Sequence, residues 1–413
     1  MKILLLTPIP PDRTAPLAIP ALLHAQLRGL ATHHEVAVVT VAGPDEQELA
    51  AVDRLVDEGF EVHAARRVAP VGVARWSRRG HLIATWLRRT WPWRTVWFWE
   101  PGLQEVVDRL VGERRFDVVA VEDSAMGVYR ISASVPRVFT EHEVRDEGRA
   151  PGALEGARGV PTWFARQVNW RRWGAYQLAV WRSFDVIQAY TDRDAVSIRE
   201  RLPGSAPPVR VNPFGIELPP RIESPEDPDL IVFVGNYTHA PNVDAALWLG
   251  KEILPEVRHF RPSARLELAG AYAPTSVRQL EGSNLRVLGR VADVEELMRR
   301  AALVFAPVRT GGGMRMKTLH AMALGKAVVT TPLGIEGLAV GGRVPPVAVA
   351  DNGANLARAA AGLLGDVASR RRLGDDARAF VERHHSPEAY AARLIDTYRF
   401  AVEMRTDRGA TRR

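Results

Sequence analysis

Short apolar runs alternate with amphipathic stretches of helical length along the whole chain. This alternation is typical of parallel sheets covered by helices, because strands buried on both faces are apolar throughout. The runs predict strands at 3–6, 36–40, 118–121, 138–140, 186–189, 231–234, 266–269, 287–288, 303–306, 328–330 and 347–349. We therefore expect an α/β fold with two doubly wound, Rossmann-like domains.

A stretch rich in prolines and acidic residues, without periodicity, marks a linker between the two sets of strands. We place this linker at 211–229, so that 1–210 form the N-terminal domain and 230–385 the C-terminal domain. The final segment, 386–413, carries apolar residues at helical spacing and ends in a polar tail. A chain of 413 residues gives each domain enough length to bury its own core.

A glycine-rich loop follows one of the buried strands in the second half. It contains Gly311, Gly312, Gly313 and Met314. Arg315 and Lys317 come next and open a predicted helix. Glycines between a strand and a helix let backbone N–H groups approach a ligand, and a helix N-terminus favours an anion. Two cations at the same turn would neutralise a diphosphate, whereas the alternative is a connecting loop with solvated charges.

This loop and the residues around it resemble the donor-binding signature of retaining glycosyltransferases of the GT-B fold, family four (glycosyl transferases group 1). The matching strings are FVGN at 233–236, VLGRVAD at 287–293, RMK at 315–317, HAMALGKAVV at 320–329 and GIEGL at 334–338. The resemblance implies two domains facing across a cleft, with a nucleotide-sugar donor on the second domain and the acceptor on the first. It also implies that the last segment crosses back to the first domain.

The resemblance assigns donor contacts to residues that follow two further strands. Gly235, Asn236 and His239 follow the first strand of the second half, and Arg290 lies where the family's backbone touches the nucleotide base. For Arg290 the alternative is a position in an ordinary strand-to-helix turn, with Asp293 as the N-cap of the helix.

Two glutamates of the family's pattern are replaced in this chain by Gly312 and His320. A carboxylate accepts two ribose hydroxyls, whereas a neutral imidazole accepts one hydrogen bond. We therefore hypothesise weaker ribose recognition, or a donor with fewer ribose hydroxyls such as a deoxythymidine nucleotide.

On the acceptor side, His142 lies between Glu141 and Glu143 at the end of a predicted strand of the first half. A histidine at the carboxyl end of a parallel strand is placed to orient an acceptor or to act as a general base. The string is similar to the family's Asp/Glu-x-His-Asn motif, which implies proximity to the acceptor. The alternative is a structural histidine with its hydrogen bonds satisfied.

The segment Arg75–Glu100 contains six of the eleven tryptophans, and its first twenty residues contain six arginines and no acid. Cationic aromatic segments suit a membrane headgroup interface. A wall of the acceptor cleft and ordinary core packing are the alternatives.

Composition narrows the classes of function. The net charge is +7, but the arginines are spread over the chain without a nucleic-acid-binding pattern, so we expect no nucleic-acid partner. The chain contains no cysteine, and its N-terminus lacks the features of a signal peptide, which together favour a cytoplasmic protein, with peripheral contact at the inner face of the cell membrane as a further expectation.

Taken together, these patterns predict a hexosyltransferase-type glycosyltransferase. It would move a sugar from a nucleotide-diphosphate donor to a glycan, a lipid-linked acceptor or a natural-product aglycone, with retention. The resemblance implies that no metal and no cofactor is needed, the nucleotide sugar being a substrate. The alternatives are a catalytically silent sugar-nucleotide-binding partner subunit and a nucleotide-sugar epimerase of the same architecture.

Overall fold

The chain forms two compact units in the computed structural model. The structure describes residues 1–15, 18–67, 82–142, 144, 160–202, 204, 206–312 and 315–410. Unit 1 comprises Met1–Glu217 and Pro387–Arg413, and unit 2 comprises Leu218–Ser386.

Unit 1 is built on a seven-stranded sheet in which every pairing is parallel. The strands are β1 (Lys2–Thr7), β2 (Glu35–Ala42), β3 (Glu61–Arg66), β4 (Val118–Glu122), β5 (Arg137–Glu141), β6 (Val186–Ala189) and β7 (Val209–Val211). Their order in the sheet is β3-β2-β1-β4-β5-β6-β7. The central strands are buried on both faces, which explains their continuous apolar runs.

Helices cover this sheet. They are α1 (Ala18–Ala31), α2 (Glu46–Asp57), α3 (Trp93–Val96), α4 (Pro101–Glu113), α5 (Val160–Arg182), α6 (Asp192–Arg201) and, near the end of the chain, Pro387–Ala410. A short 3-10 helix, Ser124–Val128, follows β4 directly. The terminal helix packs closely on α1, since a Cβ atom at Gly29 would lie 2.4 Å from the backbone oxygen of Pro387.

Unit 2 repeats the design with a six-stranded parallel sheet. Its strands are β8 (Asp227–Val234), β9 (Arg265–Ala269), β10 (Leu285–Gly289), β11 (Ala301–Ala306), β12 (Ala327–Thr330) and β13 (Ala348–Val349). Their order is β10-β9-β8-β11-β12-β13. The helices are α7 (Ala240–Trp248), which continues through a π-helical turn at Leu249–Ile253, α8 (Leu254–Phe260), α9 (Thr275–Arg278), α10 (Val294–Arg300), α11 (Met316–Ala323), α12 (Gly353–Gly365) and α13 (Val367–His384). A 3-10 helix, Pro332–Ile335, follows β12. The terminal helix of unit 1, Pro387–Ala410, comes last in the chain and is numbered α14.

The structure confirms the predicted α/β class with two parallel sheets, and each strand expected from an apolar run lies at its expected place. Within the described residues, β3 and β7 are additional strands. Both lie at the edges of the unit 1 sheet and are partly exposed, so neither forms the apolar run that marks a buried strand. Residues 212–226 form neither helix nor strand.

None of the helices in the described ranges combines the length and the apolar character that crossing a bilayer requires.

Candidate active site

Lys317 belongs to the candidate donor site of unit 2 and is a cation with an unusual environment. It lies in the first turn of α11, directly after the glycine-rich loop, and its side chain passes 4.5 Å from the centre of the Phe233 ring. Nζ donates to Oδ1 of Asn242 over 2.5 Å. Burial, together with the charge of Arg315, lowers the pKa of Lys317 to about 7. Among the described residues no carboxylate pairs with this amine, so its charge lacks a counterion.

Asn242 is held in place by the end of β8. Its Nδ2 donates to the backbone oxygen of Asn236 over 2.7 Å, and its amide packs directly on Gly235. A Cβ atom at Gly235 would lie 2.8 Å from Cγ of Asn242, which is too close for any side chain. The glycine at the strand end therefore allows the close approach that brings Asn242 to Lys317.

Arg315 is buried, and its guanidinium contacts the protein itself. It donates to the backbone oxygens of Leu333, Gly312 and Gly311 over 2.8–3.1 Å and pairs with Glu336 over 2.9 Å. Because C=O and N–H point in opposite directions in a trans peptide, holding the oxygen of Gly311 turns the N–H of Gly312 away from the guanidinium. Arg315 thus orders the exposed part of the loop, where Gly311 has a φ of 106°.

Three other predicted donor residues, Asn236, His239 and Arg290, follow two strands of the same sheet. Asn236 and His239 are exposed after β8, where Oδ1 of Asn236 accepts from the N–H and hydroxyl of Thr238. Arg290 is exposed after β10. Asp293 caps α10 by accepting from the N–H of Glu296 over 2.9 Å, which confirms the capped turn. Gly313 and Met314 lie outside the described residues.

His320 lies one turn beyond Lys317 on α11 and contacts an acid from another helix. Its Nε2 is 3.2 Å from Oε1 of Glu295, which belongs to the first turn of α10. The hydrogen bond from His320 is the largest of the effects that lower the pKa of Glu295. A carboxylate is therefore present beside the position where the sequence lacks one.

The second cluster of polar side chains lies in unit 1, at the carboxyl ends of β4 and β5. Nε2 of His142 is 2.9 Å from Oε2 of Glu122 and 3.2 Å from the hydroxyl of Tyr190. Glu122 is fully buried and also accepts from Gln26 over 2.8 Å and from Thr140 over 3.1 Å. Burial opposes the charged form of the imidazole, but the carboxylates of Glu122 and Asp123 raise the pKa of His142 above its usual value.

Glu141 is directed away from His142, into the interior. One of its oxygens, Oε2, accepts from the hydroxyl of Ser124, the amide of Gln177 and the indole of Trp181 over 2.7–3.1 Å. Burial, and then the charge of Asp123, raise the pKa of Glu141 to about 7. Its contacts are those of a residue that anchors α5 to the sheet.

Glu143 and residues 75–81 of the arginine- and tryptophan-rich segment lie outside the described residues. Residues 82–88 are helical, and Ile83, Leu87 and Trp97 are 44%, 64% and 40% exposed. Other aromatic residues of the segment pack on one another, with Trp91 and Trp99 5.5 Å apart between ring centres. The described part of the segment thus contains both packed and exposed aromatic side chains.

Sequence reasoning missed Glu122, Asp123 and Tyr190 around His142, and it missed Asn242 and Glu295 in unit 2. Glu122 and Asp123 directly follow the buried run 118–121, so the strand-end rule that selected His142 could have selected them as well. Glu295 carries no such signal, because its proximity to His320 depends on how α10 and α11 pack.

The second half of the chain matches a known protein family. Residues 228–366 match the family model of glycosyl transferases group 1. The matched region contains the glycine-rich loop, Lys317 and His320. No curated protein matches the sequence.

Solved structures of similar fold match nearly the whole chain. HepE from Anabaena, in complex with UDP and glucose, is 14% identical with a TM-score of 0.61 and covers 96% of this chain and 99% of its own. A glycosyltransferase from Rickettsia africae is 11% identical with a TM-score of 0.57, covering 97% and 98%. The E. coli trehalose-6-phosphate protein bound with UDP-2-fluoro glucose is 10% identical with a TM-score of 0.63, covering 96% and 99%. These likenesses show the fold and confirm the predicted GT-B class.

Proposed function

We propose that this protein is a glycosyltransferase that moves a sugar from a nucleotide-diphosphate donor, bound by unit 2, to a hydroxyl acceptor bound by unit 1. The observation that carries the proposal is Lys317, a half-buried lysine to which the described residues supply no counterion, in the region that matches group 1 glycosyl transferases. A diphosphate supplies the missing negative charge.

The reaction breaks the bond between the anomeric carbon and the phosphate oxygen and forms a bond from that carbon to the acceptor oxygen. Negative charge grows on the departing phosphate, and the proton of the acceptor hydroxyl passes to an oxygen of that phosphate. A preorganised cation and backbone N–H groups stabilise such a charge without reorganisation. Lys317, the N-terminus of α11 and the N–H of Gly312 provide these groups, while Arg315 and Asn242 hold them in position.

Retention of configuration and independence of metal ions are part of the proposal. They rest on the resemblance of the donor loop to the retaining family. Under this proposal, turnover in EDTA equals turnover in Mg²⁺, and the first product formed from a UDP-α-sugar has the α configuration by NMR.

The experiment that tests donor binding is a thermal-shift panel with UDP, GDP, ADP, dTDP and their sugar conjugates. A ligand at a hundred times its dissociation constant adds about 2.7 kcal/mol to stability. The diagnostic variant is Asn242→Asp, because it places a carboxylate beside Nζ of Lys317 and competes with the diphosphate. We expect it to abolish the shift, whereas Asn355→Asp, at an exposed position of unit 2, leaves the shift intact.

A turnover measurement distinguishes a glycosyltransferase from the two alternatives, a silent partner subunit and an epimerase. A silent partner subunit binds nucleotide without consuming the donor, and an epimerase changes the sugar without releasing nucleoside diphosphate. Release of nucleoside diphosphate from the responding donor, measured with and without a panel of alcohol acceptors, supports transfer. If a nucleotide sugar binds but no nucleoside diphosphate is released with any acceptor, the result contradicts transfer.

We also propose that residues 82–97 touch an anionic membrane surface from the cytoplasmic side. Ile83 and Leu87 are exposed and lie four residues apart in a helical stretch, and the neighbouring Arg88 is exposed as well. Apolar and cationic side chains on one helix suit a headgroup interface, where each arginine gains about 1 kcal/mol from anionic lipid.

Co-sedimentation with vesicles tests this contact. We expect binding to vesicles that contain phosphatidylglycerol, weaker binding in high salt, and loss of binding in Leu87→Glu. Val56→Glu, at a residue of unit 1 that is 52% exposed, is the matched control. Equal binding by both variants would contradict the proposed contact.

A further inference from the structure

Tyr272, in the loop that follows β9, combines two features that do not stabilise the free protein. It is 76% exposed, so its aromatic ring gains little from packing. Its φ is 63°, in the left-handed region where the Cβ atom of any side chain crowds the backbone. Glycine adopts this conformation without strain, and stability alone would therefore favour glycine at this position. The presence of a tyrosine points to a role for the ring.

The loop that carries Tyr272 is fixed from both sides by neighbouring strand ends of unit 2. The N–H of Gly270 donates to the backbone oxygen of Gly289, the last residue of β10, over 2.7 Å. On the other side, the backbone oxygen of Ala271 accepts from the N–H of Tyr237, which follows β8, over 3.1 Å. These contacts impose the strained conformation of Tyr272. Backbone strain that is imposed in this way is concentrated at functional sites.

The position of Tyr272 matches the order of the parts of a nucleotide. With the diphosphate at Lys317, the ribose falls beside His320, one turn further along α11 and 3.2 Å from Glu295. Glu295 belongs to the first turn of α10, which begins shortly after Arg290 at the end of β10. The end of β10 is hydrogen-bonded to the loop after β9, as described above. A base attached to that ribose, on the side away from the diphosphate, lies towards these two strand ends.

We propose that the ring of Tyr272 stacks on the nucleobase of the donor. This inference rests on the proposed function and deepens it by assigning a residue that recognises the base. A nucleobase is flat and presents an aromatic face, so it covers an exposed ring and gains stacking energy, which a phosphate group does not. Because every base has such a face, Tyr272 distinguishes a nucleotide from free pyrophosphate and does not select one base.

Calorimetry with variants of Tyr272 tests the stacking. The probes are UDP, GDP, ADP and dTDP, together with inorganic pyrophosphate, which has the phosphates but no base. We expect Tyr272→Gly to bind the nucleotides about tenfold more weakly than the wild type, and Tyr272→Phe, which keeps an aromatic ring, to stay within about twofold. Pyrophosphate should bind the wild type and Tyr272→Gly alike. The control is Phe260→Ala, which removes a 50% exposed ring at the end of α8 and should match the wild type.

Thermal unfolding without ligand separates this role from a structural one. Since glycine is relaxed at a φ of 63°, Tyr272→Gly should unfold at the same or a higher temperature than the wild type, although it binds nucleotides more weakly. Equal nucleotide affinity of the wild type and Tyr272→Gly would overturn the inference and leave the proposed function intact. An equal loss of affinity in Tyr272→Phe, or an equal loss for pyrophosphate, would overturn it as well. A wild type that binds none of the nucleotides would instead overturn the proposed function, and this inference with it.

Discussion

Nε2 of His320 lies 3.2 Å from Oε1 of Glu295, although the two residues belong to different helices of unit 2. His320 follows Lys317 by one turn of α11, and the ribose of a nucleotide directly follows its diphosphate. A ribose beside His320 would therefore meet a carboxylate supplied by α10. The expectation drawn from the sequence was weaker ribose recognition, or a donor with fewer ribose hydroxyls, and Glu295 offers a carboxylate that the sequence pattern did not predict.

We expect the wild-type protein to bind UDP about tenfold more tightly than 2′-deoxy-UDP, the effect of one hydrogen bond to a charged group, about 1.5 kcal/mol. Glu295→Gln should remove most of that difference, as measured by calorimetry. Glu296→Gln, its exposed neighbour on the same turn, should retain it. Equal affinity of the wild type for both nucleotides would instead support a deoxynucleotide donor.

Lys317 predicts a pH dependence of donor binding. Its pKa in the unliganded protein is about 7, and a bound diphosphate favours the charged amine. Binding above pH 7 therefore takes up a proton, so affinity should fall by up to about tenfold per pH unit between pH 7 and 8.5, and it should be flat below pH 6.5. UDP-sugar is the suitable probe because its phosphates do not titrate in this range.

The control for this pH dependence is Lys317→Arg, whose guanidinium stays charged throughout. We expect its affinity for the same UDP-sugar to vary little with pH, even where its absolute affinity is lower. A wild-type affinity that is constant from pH 6.5 to 8.5 would show that the amine does not contact the diphosphate.

Gly235 predicts a steric effect at the same site. A Cβ atom there would displace Asn242, whose Oδ1 fixes Lys317, so we expect Gly235→Ala to weaken nucleotide binding about tenfold. Crowding of this kind usually costs about 1–3 kcal/mol of stability. Gly362→Ala, in α12, is the control, because no atom lies within 4 Å of its added Cβ. We expect that variant to bind nucleotide normally and to unfold at the same or a higher temperature.

The sequence predicted the buried strands well, because a strand covered on both faces must be apolar along its length. It predicted less of the site. Lys317 could be found because it follows the glycine-rich loop, and His142 because it lies at the end of an apolar run. The partners that define the chemistry of both side chains come from other elements. Asn242 reaches Lys317 from α7, and Tyr190 reaches His142 from the loop after β6. In the same way Glu295 reaches His320 from α10, and no local pattern encodes these distances.

Arg315 is a second residue whose contacts the sequence did not predict. Its place beside three glycines suggests a phosphate ligand, but in the folded chain its guanidinium binds backbone oxygens and Glu336. The sequence gives its charge and its position after the loop. The direction of the side chain is set by the turn at Leu333, which returns eighteen residues later to supply an acceptor.

The last prediction concerns stability and comes from Glu141. Its pKa is about 7 in the folded protein, above the value of 4.5 expected of an unfolded chain. Because the folded-state pKa is raised, the stability that this group contributes is fully present below pH 4.5 and is lost as the pH rises to 7. At 1.36 kcal/mol per unit, the loss is about 3 kcal/mol.

Urea unfolding followed by tryptophan fluorescence measures this loss in unit 1, which holds every tryptophan except Trp248. Glu141→Gln can keep all three hydrogen bonds, since one oxygen accepts them, and it does not titrate. We therefore expect the stability of the wild type relative to this variant to fall between pH 4.5 and 7 and to stay level above pH 7. Glu105→Gln, at an exposed position of α4, should follow the wild type at every pH. Parallel curves for the wild type and Glu141→Gln would mean that the buried carboxyl is already ionised at pH 4.5, stabilised by its three donors.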